Sequence, residues 1–399
     1  MIQSLIAIAA VVAGWSLLAA RGERWHISAP IAVVLVGIAV GFTTRNTIGE
    51  TLNTHSAQFG AEIVLAVLLF IDATEVRGGL LGPSPRPALR MLFIALPLGL
   101  GLSTLLGAWL LPGLSWPVLL LIACIVVPID FAPAPSVVRD RWIPLRVRNV
   151  LNVEGGYNDG LVSPIFIFAL ALSGVGEHAK TPLEALGDAL PQAIKAILVG
   201  LVVGAALALA TNAADERKLM SHQSKRMLLV AAPILSYAVA VAIHGNGFVA
   251  AFVCGLALNY WRRSSNFRAE LELLDDIGFL LTVVMWFVFG SVAVYVLIGP
   301  HLWRTLLFSL AALTIVRILP TFVAMLGSSF SWRDRLRLGL LGPRGTTSIV
   351  FALLAYNGLS GDPADFALIT MVFTVFGSVI LHGGGVPLAA RLHATHRAS

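Results

Sequence analysis

The chain has 399 residues, 57% of them hydrophobic and only 12% charged, with a net charge of +6. A soluble domain carries about 25% charged residues, so this composition excludes an ordinary soluble enzyme and points to a membrane protein with little mass outside the bilayer. The apolar stretches suit helices of about 20 residues rather than alternating barrel strands of about ten. The basic residues are spread over short loops, which reads as topology and not as a nucleic-acid surface.

In chain order, apolar stretches fall at 2–20, 27–44, 57–76, 87–111, 115–138, 145–173, 185–211, 227–243, 245–260, 272–297, 302–326, 336–357 and 364–389. The first follows Met1 with no basic leader and reads as a retained span. The third carries Glu62, placed in a vestibule or at the outer surface, and ends in Asp72 and Glu75 beside Arg77, an interfacial group. The fifth is interrupted by Val127-Pro-Ile-Asp-Phe-Ala-Pro-Ala-Pro135, and the twelfth by Leu341-Gly-Pro-Arg-Gly345. The sixth holds Glu154, Asn158 and Asp159, and the seventh Lys195. Asp275 and Asp276 open the tenth as wetted acids, and Arg317 lies in the eleventh with no partner evident in the sequence. Cys124 and Cys254 lie in apolar runs without metal-ligand spacing and read as packing residues. His244 and His382 fall near span ends, where capping or loop roles are expected.

The loops test this count of thirteen. Those following odd-numbered spans carry nearly all the arginines and lysines, whereas those following even-numbered spans hold only Arg45, Lys180 and Arg304. That alternation is the positive-inside pattern for an outside N-terminus and a cytoplasmic C-terminus. Thirteen divides as six, one and six, so the second half is expected to be inverted relative to the first. Inverted-repeat transporters place their sites near the midplane, on helices interrupted at matching positions. The breaks meet that description. Pro128 and Pro133 remove backbone donors in the fifth span; Gly342, Pro343 and Gly345 interrupt the twelfth. One break holds an acid, Asp130, and the other a base, Arg344.

A carboxylate at the centre of a bilayer costs roughly 2.5–3.5 kcal/mol on insertion scales, so intramembrane acids mark ion or proton sites by default. Glu154 and Asn158 are four apart and share a helix face, with Asp159 turned about 100° further round. The expected arrangement pairs Glu154 with Arg344 and has Asn158 complete a polar network. Asp159 then has no fixed counter-charge, and either a proton or a monovalent cation can neutralise it. Asp159 is the expected carrier and Asp130 an auxiliary ligand. No P-loop, His-Glu-x-x-His helix, Cys/His cluster or serine–base–acid set is present, so neither enzyme chemistry nor a cofactor is expected.

Several motifs, in order along these spans, resemble the monovalent cation:proton antiporter superfamily, in its NhaP/NHE-like branch. They are Leu68-Leu-Phe-Ile-Asp72, the Pro128-Ile-Asp130 break, Glu154-Gly-Gly-Tyr-Asn-Asp159, Gly245-Asn-Gly-Phe-Val-Ala-Ala-Phe-Val-Cys-Gly255, Phe287-Val-Phe-Gly290, Gly342-Pro-Arg-Gly345 and Ser378-Val-Ile-Leu-His-Gly383. The resemblance implies an all-α protein of thirteen transmembrane helices in two inverted six-helix repeats. It implies scaffold and dimerisation helices at 1–76 and 227–297, transport-core helices at 87–173 and 302–389, a linking helix at 185–211 and a short cytoplasmic tail at 390–399. A homodimer in a bacterial inner membrane is expected, with a monovalent cation and a proton as substrates. The Asn158-Asp159 pair implies electroneutral exchange, Na⁺ first and K⁺ or Li⁺ as alternatives. A cation channel and a non-transporting sensor or scaffold remain the rival readings. The chain departs from the branch at Ile129, where relatives have Thr, at Gly155, where they have Ser, and at Phe131, where they have Pro. Those Thr and Ser positions help ligate Na⁺ in relatives, so their loss favours a looser site or K⁺.

Overall fold

The computed structural model of the chain describes residues 2–24, 28–52, 54–76, 79–140, 142–173, 181–296 and 302–384. Arg77, Lys180 and the tail 390–399 lie outside the described residues. Among the described residues, every regular element is helical.

The first part of the chain forms α1 (Ile2–Arg24), α2 (Ala29–Leu52) and α3 (His55–Glu75). Next, α4 (Pro85–Arg90) runs through a π-helical stretch, Met91–Ala95, into α5 (Leu96–Leu110). Then come α6 (Trp116–Val126), the single turn α7 (Ser136–Arg139) and α8 (Leu145–Ser173). The middle holds α9 (Pro182–Glu216), α10 (His222–Ala242), α11 (Gly247–Trp261) and α12 (Phe267–Val296). The last part holds α13 (Leu302–Leu313), α14 (Ile315–Ala324), α15 (Trp332–Leu340), α16 (Thr346–Gly358) and α17 (Asp362–Ser378), with a π-helical end, Val379–Gly384.

Eight helical stretches among the described residues are long and apolar enough to cross a membrane, and α1, α2, α6 and α11 contain shorter apolar helices. Helix starts follow local chemistry. Thr181 caps α9 through the Glu184 N–H while the Glu184 side chain accepts from the Thr181 N–H, a reciprocal capping box. Asn246 starts α11 by accepting from the N–H groups of Phe248 and Val249 at 3.0 and 3.2 Å. Each such cap is worth about 1 kcal/mol.

Without a hydrophobic drive between helices in lipid, close packing holds a membrane bundle together. Small residues permit it here. A Cβ on Gly290 of α12 would stand 2.4 Å from the Val34 carbonyl of α2, and one on Gly37 would stand 2.4 Å from the Phe287 carbonyl. Gly200 and Gly204 bring α9 equally close to α11. A methyl group at any of these contacts would push backbones apart, at a cost of about 1–3 kcal/mol. Outward faces carry exposed apolar residues such as Leu17, Leu105, Trp109 and Leu183, as a lipid-facing surface requires.

Candidate cation site at the crossing of two unwound segments

The site begins where two helices stop. α6 ends at Val126 and the chain stays non-helical until α7. α15 ends at Leu340 and helix resumes at Thr346. The unwound stretches meet: the Asp130 N–H donates to the Pro343 carbonyl at 2.9 Å. Gly345 permits this contact, because a Cβ there would lie 2.6 Å from Asp130 Oδ2.

Each break is matched by charge. Asp130 sits at the positive N-terminus of α16, its Oδ2 accepting from the Thr346 N–H at 2.5 Å and its Oδ1 from the Ala132 N–H at 2.7 Å. Arg344, 0% exposed, sits at the negative C-terminus of α6 and donates from Nε to the Val126 carbonyl at 2.5 Å. Its Nη1 also donates to the Gly342 carbonyl, and its backbone N–H to Ser378 Oγ at 2.6 Å. The ring of His382 completes this corner, its Nε2 2.8 Å from the Leu340 carbonyl and its Nδ1 3.0 Å from the Ser378 carbonyl.

The expected pairing of Glu154 with Arg344 does not occur. Glu154 of α8 is instead clasped by both terminal nitrogens of Arg317 on α14, Nη2 at 2.8 Å from Oε2 and Nη1 on Oε1. Arg317 also reaches the Leu338 carbonyl at 3.2 Å. The physical reason lies in the unwinding itself: freed carbonyls engage Arg344 through Nε and Nη1, leaving the carboxylate to the other buried arginine. Breaking such a buried pair from one side costs about 3–5 kcal/mol.

Asn158 ties the unwound stretch to α8. Its Nδ2 donates to the Ile129 carbonyl at 2.9 Å, and its Oδ1 accepts from the Asp159 N–H at 2.6 Å. Asp159 itself is 2% exposed, and its Oδ1 has no hydrogen-bond partner among the described residues. Thr347 at the start of α16 lines the same cavity as this carboxylate. Thr346 next to it accepts from the Trp286 indole of α12 at 3.1 Å.

Asp159 and Asp130 line one cavity of about 390 Å³, together with Asp72, Glu75 and Asp275. Among the described residues, neither Lys nor Arg lines it. Low-dielectric walls carrying one sign of charge focus the field and concentrate counter-ions. Among the described residues these acids form no group of three or more that would chelate a metal. They are strung along the cavity, as suits passage of a monovalent ion. Asp72 and Glu75 therefore belong to the cavity wall and not merely to an interface. Thr346 and Thr347 escaped the sequence reading; the signal available was two hydroxyl residues directly after the Gly345 break, where a half-helix must begin. Of the other singled-out groups, Lys195 donates to the Ile243 carbonyl at 3.1 Å, and Glu62 accepts from the Tyr237 hydroxyl at 2.6 Å, both away from the cavity lining.

Known proteins resemble this chain in sequence and in fold. The chain is 26% identical over 375 residues to the K(+)/H(+) antiporter NhaP of Alkalimonas amylolytica, covering 92% of this chain and 63% of that protein. It is 25% identical over 336 residues to a Na(+)/H(+) antiporter of Schizosaccharomyces pombe, covering 80% of this chain and 71% of that one. The chain thus spans a little under two thirds of the first of these relatives. Its fold matches that of the sodium proton antiporter MjNhaP1 from Methanocaldococcus jannaschii with a TM-score of 0.75 at 21% identity, over 96% of this chain and 99% of the other. The profile of the transmembrane sodium/hydrogen exchanger family matches residues 5–391, nearly the whole length, and the chain belongs to that family.

Proposed function

We propose that this protein is a secondary transporter that exchanges a monovalent cation for a proton by alternating access. The observation that carries the reading is Asp159: a buried carboxylate with an uncommitted oxygen, in a cavity walled by acids. Proton and cation compete for that oxygen. Asp130, Asn158, Arg344 and the Glu154–Arg317 pair hold the crossing in shape around it. One exchangeable carboxylate takes either one proton or one monovalent charge, so a full cycle moves no net charge. The relatives named above, a K(+)/H(+) and a Na(+)/H(+) antiporter, support the substrate class.

Thirteen crossings in inverted repeats accompany this reading. Spans 1–3 and 8–10 act as a dimeric scaffold, spans 4–6 and 11–13 move, and the N-terminus lies outside a bacterial inner membrane. The loop-charge alternation and the paired breaks support that layout. The cavity then opens toward the cytoplasm, where Glu75 and Asp275 gather cations. Na⁺, K⁺ and Li⁺ are the candidate ions.

The test is Asp159→Asn in proteoliposomes carrying a pH-sensitive dye. Cation-dependent proton movement is expected to vanish while the protein stays folded; retained exchange would remove Asp159 from the carrier role. Imposing a voltage in the same vesicles reads electroneutrality directly, since a rate that follows the voltage would contradict it.

A further inference from the structure

A second cavity, of about 520 Å³, lies where α3 and α11 end and α12 begins. It differs in sign from the cavity beside Asp159. Among the described residues, acids alone supply the charge lining that one, whereas Arg268 alone supplies it here. Arg268 is exposed and makes one hydrogen bond among the described residues, from Nη2 to the Glu75 carbonyl at 3.1 Å. Around its guanidinium stand the ring of Tyr260, 63% exposed, the half-buried ring of Phe267 and the exposed side chain of Leu80. One guanidinium among aromatic and apolar walls suits a ligand with a phosphate and an apolar body. The planar fork can bond two phosphate oxygens at once, and a mostly apolar wall with few polar groups is how ligand pockets are built. On the topology proposed above, this is the cytoplasmic membrane surface. Tyrosine rings settle there at headgroup level, and anionic phospholipids are present in that leaflet.

The two cavities share a rim. Glu75, whose carbonyl holds Arg268, lines the acid cavity. Asp275 of that cavity follows Arg268 by seven residues on the same face of α12, about 10 Å along its axis. Val76 of the second cavity packs on α8, where a Cβ on Gly156 would stand 2.6 Å from its Cγ2. The Leu80 carbonyl accepts from the Tyr157 hydroxyl of the same helix. The second cavity thus borders both the mouth of the acid cavity and the helix that carries Asp159.

We propose that this second cavity is a regulatory site for the phosphate headgroup of an anionic phospholipid of the cytoplasmic leaflet, and that its occupancy strengthens cation capture by the neighbouring acid cavity. This rests on the exchange reading given above and adds its control. With the site empty, Arg268 holds a positive charge at the rim that an arriving cation must pass. A phosphodiester bound to the guanidinium cancels that charge, and the acids then attract the cation undiminished. Exposed charges at this spacing are partly screened, so the gain is about threefold in apparent affinity.

The test uses the full chain, reconstituted in phosphatidylcholine alone or mixed with phosphatidylglycerol. Native mass spectrometry should find phosphatidylglycerol retained by the wild type and Arg268→Lys. It should be lost from Arg268→Gln and from Leu80→Trp, whose larger side chain fills the cavity. Equal retention by all four would overturn the site. Added glycerol phosphate should leave the lipid in place; displacement would assign the site to free phosphate esters and overturn the lipid reading. Dye-loaded vesicles then give the cation concentration for half-maximal exchange. The surface potential of mixed vesicles acts on every variant alike, and Arg268→Gln measures it. Beyond that shared shift, phosphatidylglycerol should lower the wild-type value about threefold. In phosphatidylcholine, Arg268→Gln should already show the low value and Leu80→Trp the high one. A wild-type shift no larger than that of Arg268→Gln would overturn control by the lipid. Lipid retained by a wild type that moves no protons with any cation would strike at the exchange reading and end the control, while the lipid site would stand.

Discussion

At the junction of α9, α10, α11 and α12, Arg262 is enclosed by partners. Its Nε and Nη2 donate to Glu270 at 3.0 and 2.7 Å, its Nη1 donates to Asn212 at 2.7 Å, and Nη2 also reaches Asp215. Lys225 adds an ion pair to Asp215 at 2.6 Å, and Ser264 donates to Glu270 at 2.8 Å. The crossing beside Asp159 buries comparable charge but leaves it incomplete: Asp159 Oδ1 and Arg344 Nη2 have no hydrogen-bond partner among the described residues. Taking ions out of water costs several kcal/mol each. The first cluster offsets that cost with permanent partners drawn from several helices. The second leaves one acid to be completed by something that arrives and departs. An unpartnered carboxylate oxygen in an acid-lined cavity is what separates the second cluster from the first.

The sharpest way to break this comparison is to neutralise each cluster. Asp159→Asn should abolish exchange while leaving the melting temperature unchanged or raised, because it removes a buried charge that has no fixed partner. A fall in melting temperature as large as that of the pair variants would mean Asp159 is a structural acid after all. Arg262→Met and Arg317→Met should each cost about 3–5 kcal/mol, since each strands buried carboxylates. Detergent melts would register both as a marked drop. Combining Arg317→Met with Glu154→Gln should restore part of the loss, and additive losses would count against the pair.

Smaller effects sharpen the same contrast. Thr346→Val removes the acceptor of the Trp286 indole and leaves that N–H buried, at about 1–3 kcal/mol. Smallest is a pH effect at Asp334, just inside the start of α15. Burial pushes its carboxyl up, but the Ser331 hydroxyl, Arg146 and Arg337 outweigh burial and hold it below the usual carboxylate range. A carboxyl lowered in the folded state contributes stability above its unfolded value, and this is lost as pH falls through the folded one. Acid should therefore loosen the α8–α15 contact in the wild type, and Asp334→Asn should flatten that part of a melting-temperature profile. Arg146 is half exposed, so solvent screening keeps the effect modest.

Much of this was legible in sequence because membranes write their constraints coarsely. Long apolar stretches announce the helices, and Pro128, Pro133, Gly342 and Pro343 announce where two of them stop. The partner of Glu154 was not legible, because Arg317 and Arg344 look equivalent until freed carbonyls claim one of them. The position of Asp72 was hidden for a different reason. Gly156 packs directly on it, a Cβ there standing 3.0 Å from the Asp72 carbonyl, so α8 draws the end of α3 up to the cavity. Gly278 does the same for α12, where a Cβ would stand 2.4 Å from Ile71 Cδ1 of α3, bringing Asp275 round to the wall. Helix rotation of this kind is set by small residues spread over the chain, and no local motif records it.

The hydrogen bond from Trp286 to Thr346 joins a helix assigned to the scaffold with the first turn of a helix assigned to the moving core. On the proposed division, a core that slides past α12 would tear this bond and carry the hydroxyl away from a fully buried indole. The indole is fluorescent, and its emission follows the polarity and hydrogen bonding around it. On the proposed mechanism, a variant that keeps Trp286 as its one tryptophan among the nine in the sequence would report by its own emission which way the molecule faces.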